Sequence, residues 1–169
     1  MTAAVASAAR TRTVEWEDPL EALGRAAGMT GREHLEAIGS GEIPPPPIAV
    51  LMGFGPIGMD DGVAVFALEP GEHLYNPIGG VHGGAIATLI DSVTGCAVQT
   101  TLPAGVGYAT TSLEVRFHRP VTRDSGRIVA EGRVIHRGSR VAVAEAKVTD
   151  ESTGKLIASG SATCMLLTP

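Results

Sequence analysis

A single long helical pattern stands among segments that alternate like strands, and this imbalance limits what the chain can fold into. Ala85, Ile86, Leu89, Ile90, Val93 and Ala97 recur at helical spacing after a glycine-rich turn, which predicts a helix starting near Gly83 and ending about Thr100. Strand-like alternation precedes it at residues 62–69 and follows it at 108–118, 127–136, 140–150 and 155–166. In the first of the later segments Leu113, Val115 and Phe117 fall on one face, and Ser112, Glu114, Arg116 and His118 on the other. Asp124-Ser125-Gly126, Arg137-Gly138-Ser139 and Ser152-Thr153-Gly154 are turn formers placed to join successive strands as hairpins. A lone helix must bury its apolar stripe against the sheet, so the expected class is α+β, with one long helix on an antiparallel sheet of five to six strands.

At 169 residues and 44% hydrophobic content the chain suits one well-filled domain. Residues 1–47 read as a helical appendage: a loose N-terminus, helical segments near 19–27 and 31–38, then the tetraproline at 44–47. Four prolines cannot join a helix or sheet interior, so they read as a stiff spacer, ahead of the alternative of a docking ligand. The main domain is expected over 48–169, beginning at Ile48 to Met52.

No apolar run approaches 18 residues, and MTAAVASAARTR places its arginines after a weak alanine-rich stretch, unlike a signal peptide. A cytoplasmic protein with no membrane partner is expected. Cys96 and Cys164 have no metal-type spacing and read as reduced core residues, and the five histidines form no HxH or HxxxH pair, so no metal is expected. The net charge of −5 argues against nucleic-acid binding. Seven arginines nevertheless fall within residues 116–140; most read as solvated strand faces, with one or two available to hold an anionic ligand.

The chemistry-bearing stretch is NPIGGVHGGAIATLID at 76–91. The first N–H groups of a helix lack internal partners and lie at the positive end of its dipole, so a helix beginning at Gly83 offers a site for a carbonyl oxygen gaining negative charge. Asp91 is the only formal charge between His82 and Gln99, and Gly84, Ala87, Thr88 and Gly95 share its side of the helix. A glycine inside a helix costs about 1 kcal/mol against alanine, so Gly95 suggests that another backbone, a partner subunit or a ligand approaches there. Taken singly, His82 is equally a packing residue, Asp91 an exposed polar one and Asn76 an Asn-Pro turn starter, and Thr110 and Thr111 are strand formers by default.

These residues and their order resemble the hotdog-fold acyl-CoA thioesterases, in particular the branch typified by the phenylacetic acid degradation thioesterases. The resemblance rests on Asn76 with GGVHGG at 79–84, Asp91 nine residues after His82, YATTSLEVRFHRPV at 108–121 and HRGSRVAVAEAKVTDESTGKLIASGSATC at 136–164, and it covers about residues 48–167. It implies a hotdog fold, in which a curved sheet wraps the helix and two subunits join into a continuous sheet as a homodimer, with dimers able to pair into a homotetramer. It implies an acyl-CoA substrate, no cofactor, and an active site shared between subunits. Asn76, His82 and Gly83 would come from one subunit, the Gly83 N–H polarising the thioester carbonyl and His82 bracing the loop. Asp91 would come from the other and attack directly or through water, with Thr110 positioning that water. Arg137, Gly138 and Arg140 would contact the CoA nucleotide. A thioester is electrophilic and its thiolate leaves readily, so this set suffices without the GxSxG of a serine hydrolase, which is absent. Two other functions are weighed against hydrolysis: hydratase or dehydratase chemistry on acyl thioesters, and acyl-CoA sensing without turnover.

Overall fold

The computed structural model describes residues 9–168; of the loose N-terminus expected from the sequence, residues 1–8 lie outside the described residues. Three short helices come first, α1 (Pro19–Arg25), α2 (Gly31–Ser40) and α3 (Pro47–Met52), then strands β1 (Phe54–Asp60) and β2 (Val63–Leu68). The long helix α4 (Gly83–Gln99) follows, and β3 (Gly107–Phe117), β4 (Ile128–Arg137), β5 (Val141–Asp150) and β6 (Leu156–Leu167) complete the chain. The strands form one antiparallel sheet in the order β1-β2-β4-β5-β6-β3, leaving β1 and β3 as its edges.

The sheet can close around α4 because the two surfaces divide the volume between them. The helix supplies the large side chains: Leu89, Ile90, Val93 and Val98 have no exposed surface, and each buried aliphatic contributes about 1.5–3 kcal/mol. The inner face of the sheet supplies small ones: Ala64, Ala130, Ala142, Ala144 and Ala158 are equally buried. At Gly132 of β4 even a methyl group is excluded, since a Cβ there would collide with the backbone carbonyl of Val93. The strand therefore lies directly on the helix backbone, closer than side chains would allow.

The expected five to six strands are six: β1 lies in FGPIGMD, whose Gly and Pro are poor strand formers, and is an edge strand with an irregularity between Pro56 and Gly58, where a missing N–H is tolerated. One expectation is corrected. The Asp124-Ser125-Gly126 turn does not close a hairpin. Both sides of β4 are taken by β2 and β5, so β3 crosses to pair with β6; of the three expected turns, only those after β4 and β5 join neighbouring strands. Phe117 shares the inner face with Leu113 and Val115, pairing with Ala158, and is 56% exposed at the end of the β3 edge.

The N-terminal segment is bound to the wrapped helix. Asp18 caps α1 through the Leu20 N–H, with Pro19 at the first helical position, and Thr30 and Glu33 form a reciprocal capping box on α2. Gly31 lies against the backbone of Gln99 where a Cβ would not fit, its N–H donates to the Leu102 carbonyl at 3.0 Å, and the Gln99 amide donates to His34 Nδ1 at 3.1 Å. Of the four prolines, Pro47 opens α3, a position where its missing N–H is not needed.

Two measurements check this account. Gly132→Ala forces a methyl group into the helix backbone, so thermal unfolding is expected to show a loss of about 1–3 kcal/mol, the usual range for overpacking. Burial lowers the pKa of His34 below its ordinary value, so the docked state favours the neutral ring. Its contribution is complete above about pH 6.5, the ordinary histidine value, and is lost as pH falls through the lowered one. Hydrogen exchange corrected for intrinsic rates should therefore show α2 amides losing protection at pH 5 relative to pH 7.5, with β5 amides unchanged.

Candidate active site

The turn before α4 is built to present its first amides. Asn76 Oδ1 accepts from the N–H groups of Ile78 (3.1 Å) and Gly80 (3.2 Å), and the Asn76 N–H donates to the Gly80 carbonyl at 2.7 Å. Gly79 completes the turn at φ +86°, a conformation that disfavours other residues. The Asn76 carbonyl is thus committed to its own loop, leaving the amide NH₂ as the group that can reach outward. His82 is the N-cap: its N–H donates to the Leu74 carbonyl at 2.8 Å, and its Nδ1 accepts from the Gly84 N–H at 2.8 Å. With Gly84 capped, the Gly83 N–H has no hydrogen-bond partner among the described residues and stands at the positive end of a 17-residue helix. A Cβ on Gly83 would sit 3.1 Å from the Phe117 ring, so glycine keeps this amide approachable.

Asp91 lies two turns along α4 and presents a different situation. Its Oδ1 is buried without any hydrogen-bond partner, the one such side-chain atom among the described residues. Leaving a buried polar group unsatisfied costs about 1–3 kcal/mol, more for a charged one, so packing alone gives no reason to keep a carboxylate here. Asp91 lines a cavity of about 580 Å³ together with Ser92, Cys96, Gln99, Tyr108 and Thr110. The approach expected at Gly95 is made by this chain's own Tyr108: a Cβ on Gly95 would lie 2.5 Å from the phenol oxygen. Burial first, then the charge of Asp91, pushes the Cys96 thiol up to about 12, so it stays protonated and is a poor nucleophile near neutrality. Burial likewise raises Tyr108, with neighbouring negative charge adding to it.

Thr110 reaches this chamber through an irregularity in β3. Strict alternation from Leu113 would turn Thr110 away from the helix. The register instead shifts between Thr110 and Ser112: Thr110 pairs with Cys164 and Ser112 with Thr163, leaving Thr111 as the extra residue. Tyr108, Thr110, Leu113 and Val115 consequently share the inward face, opposite Leu166, Cys164, Ala162 and Gly160. The Thr110 hydroxyl lies 4.0 Å from Cys164 Sγ, while Thr111 donates to the Thr163 carbonyl at 3.0 Å.

The expected site residues therefore fall into three groups within one chain. Asn76, His82 and Gly83 meet at the start of α4, and Asp91 and Thr110 line the chamber at its middle. Eight residues of helix separate Gly83 from Asp91, about 12 Å along the axis and about 80° around it. Arg137, Gly138 and Arg140 lie beyond the other end, where Arg137 Nε donates to Thr101 Oγ1 at 3.1 Å. The remaining arginines of the basic stretch behave largely as solvated faces: Arg116, Arg127 and Arg133 pair with surface glutamates, and Arg119 donates to the Leu156 carbonyl. Sequence reading missed Tyr108 and the His34–Gln99 pair; Gly95 marked the first place without naming its occupant, and nothing in the sequence reading marked the second.

Comparison with known proteins places this geometry in context. The family profile of the thioesterase superfamily matches residues 78–157. Acyl-coenzyme A thioesterase 13 of Mus musculus is 32% identical over 89 residues, which are 53% of this chain and 62% of that protein. A conserved protein of Pseudomonas aeruginosa superimposes with a TM-score of 0.68 at 32% identity, covering 73% of this chain and 95% of the other. A phenylacetic acid degradation-related protein of Ralstonia eutropha JMP134 gives a TM-score of 0.70 at 29% identity, covering 78% and 98%. The chain thus spans less than two thirds of the mouse protein, and 48% of an esterase-designated relative from Halobacterium salinarum.

The capping role of His82 predicts a measurable loss in its absence. His82→Ala should lower stability by about 0.5–2 kcal/mol in urea unfolding, the cost of removing a side-chain N-cap, with the m-value unchanged.

Proposed function

The chain belongs to the thioesterase superfamily, and on that premise we propose that it is an acyl-CoA thioesterase, converting an aryl- or alkyl-acyl-CoA and water to the free acid and CoA. The observation that carries this reading is the buried, unpartnered Oδ1 of Asp91 inside a cavity. A carboxylate oxygen without a protein partner is available to a substrate carbonyl carbon or to a water molecule.

Asp91 acts as nucleophile or general base. As base it takes a proton from water whose oxygen bonds to the thioester carbonyl carbon; the carbon–sulfur bond breaks, and the CoA thiolate takes the proton. As nucleophile its oxygen bonds to the carbonyl carbon and the carbon–sulfur bond breaks, releasing the CoA thiolate and leaving an acyl-aspartyl anhydride; water hydrolyses this to the free acid and the Asp91 carboxylate, and the proton released goes to the thiolate. The Gly83 N–H bonds the carbonyl oxygen as it gains charge, the Asn76 amide NH₂ and the Thr110 hydroxyl orient the water, and His82 holds the loop. Arg137, Gly138 and Arg140 bind the phosphates and nucleotide of CoA.

The two halves come from two copies of the chain. A separation of about 12 Å along one rigid helix is too long for Gly83 and Asp91 of the same chain to serve one carbonyl carbon. β3 is an edge strand of eleven residues whose outward backbone groups face no other strand of this sheet, and a homodimer joined there removes that edge; dimers then pair as a homotetramer. Residues 1–47 are the appendage and 48–169 the catalytic domain. The reaction requires neither cofactor nor metal, and its setting is the cytoplasm.

The test is release of free CoA thiol from a panel of aryl- and alkyl-acyl-CoAs by the wild type and by Asp91→Asn. Wild-type turnover with a loss of at least about 100-fold in the variant is expected. Because the Oδ1 is unpartnered, Asp91→Asn should melt no lower than the wild type, which separates lost chemistry from lost folding. Absence of thiol release across the panel would sink the proposal. Thiol release with an unchanged acyl double bond distinguishes hydrolysis from hydratase chemistry.

A further inference from the structure

The cavity beside Asp91 extends well beyond the residues that would handle the thioester. Its lining includes Leu35, Ile38, Ile43 and Pro45 from the N-terminal segment and Phe54 and Phe66 from β1 and β2. These two aromatic rings pack with centroids 6.0 Å apart. We infer that the N-terminal appendage is the roof of the acyl-binding chamber, and that it selects long or bulky apolar acyl groups. The inference rests on the thioesterase reading for the identity of the group that enters.

Three observations converge on it. The volume, about 580 Å³, lies within the range of about 300–1,000 Å³ typical of small-molecule sites. The lining joins the unpartnered carboxylate oxygen to a mostly aliphatic, proline and phenylalanine surface, with Glu17 and His34 among the N-terminal residues. The roof is also fixed in place, because α2 is tied to the end of α4 by the Gly31–Leu102 and His34–Gln99 hydrogen bonds and by the close approach of Gly31 to Gln99. Prolines at 44–46 stiffen its rim, since their φ angles are already fixed. An acyl chain entering past Asp91 exchanges water for apolar walls, and each methylene that fits adds to binding until it meets the roof.

Ile38 is half-buried, lines the chamber and lies far in sequence from the residues placed at the thioester, so it is the position to change. Full-length Ile38→Trp fills the space and Ile38→Ala enlarges it. Two readouts are taken for each: kcat/KM across acyl-CoAs from acetyl to dodecanoyl and phenylacetyl, and calorimetric affinity for the matching non-hydrolysable S-alkyl-CoA thioethers. Ile38→Trp is expected to lower kcat/KM and affinity for the longest acyl and alkyl groups at least 10-fold while changing acetyl-CoA less than twofold. Ile38→Ala should move the optimum to longer groups. Equal changes along the series, or none, would overturn the inference even where the wild type hydrolyses thioesters. A shift in the thioether profile without any hydrolysis would uphold the roof and defeat the hydrolase reading.

Discussion

The contact between α4 and the concave face of the sheet is the constraint from which the other features follow. A single helix has to be enclosed by strands rather than by other helices, so the sheet must bend around it. Bending is possible only if the inner face is thin. Buried alanines on the inner face, and Gly132 lying on the Val93 carbonyl, supply that thinness, while the helix contributes the large aliphatic side chains. Close wrapping fixes the helix axis, and a fixed axis sets the spacing of everything carried on it: Gly83 at the start, Asp91 in the middle, Gln99 at the end.

Against that well-satisfied core, Asp91 is the exception. Every other described side chain that buries a polar oxygen or nitrogen finds a partner, and Thr94 and Thr100 show the usual solution by donating to carbonyls of their own helix. Asp91 Oδ1 does not. A buried polar atom left without a partner persists where something other than stability retains it. The apolar chamber running from it under α2 gives that oxygen something to face, which a carboxylate buried in solid packing would lack.

The β3 irregularity has a similar logic. The strand must place Leu113 and Val115 against the helix in its second half and Tyr108 and Thr110 in its first, a spacing that strict alternation cannot meet. Absorbing Thr111 as an extra residue resolves the conflict and turns a hydroxyl towards Asp91's chamber. Gly95 completes the arrangement by removing the side chain that would otherwise hold the Tyr108 ring away from the helix.

The helix, its start at Gly83, five of the six strands and the isolation of Asp91 were legible in the sequence, because periodicity and capping are local and each residue carries its own preference. The pairing of β3 with β6, the edge strand β1 and the exposure of Phe117 were not, since strand partners depend on which edges remain free once the others have paired. The two glycines show the division at single positions. Gly95 announced that something approached closely, yet only folding brought Tyr108 to it; Gly31 gave no such signal, and only folding joined it to Gln99 and Leu102. The chemistry-bearing residue types were written in the chain; which of them share a cavity, and that residues between Glu17 and Pro46 help to line it, was decided by contacts between segments far apart in sequence, which no local preference encodes.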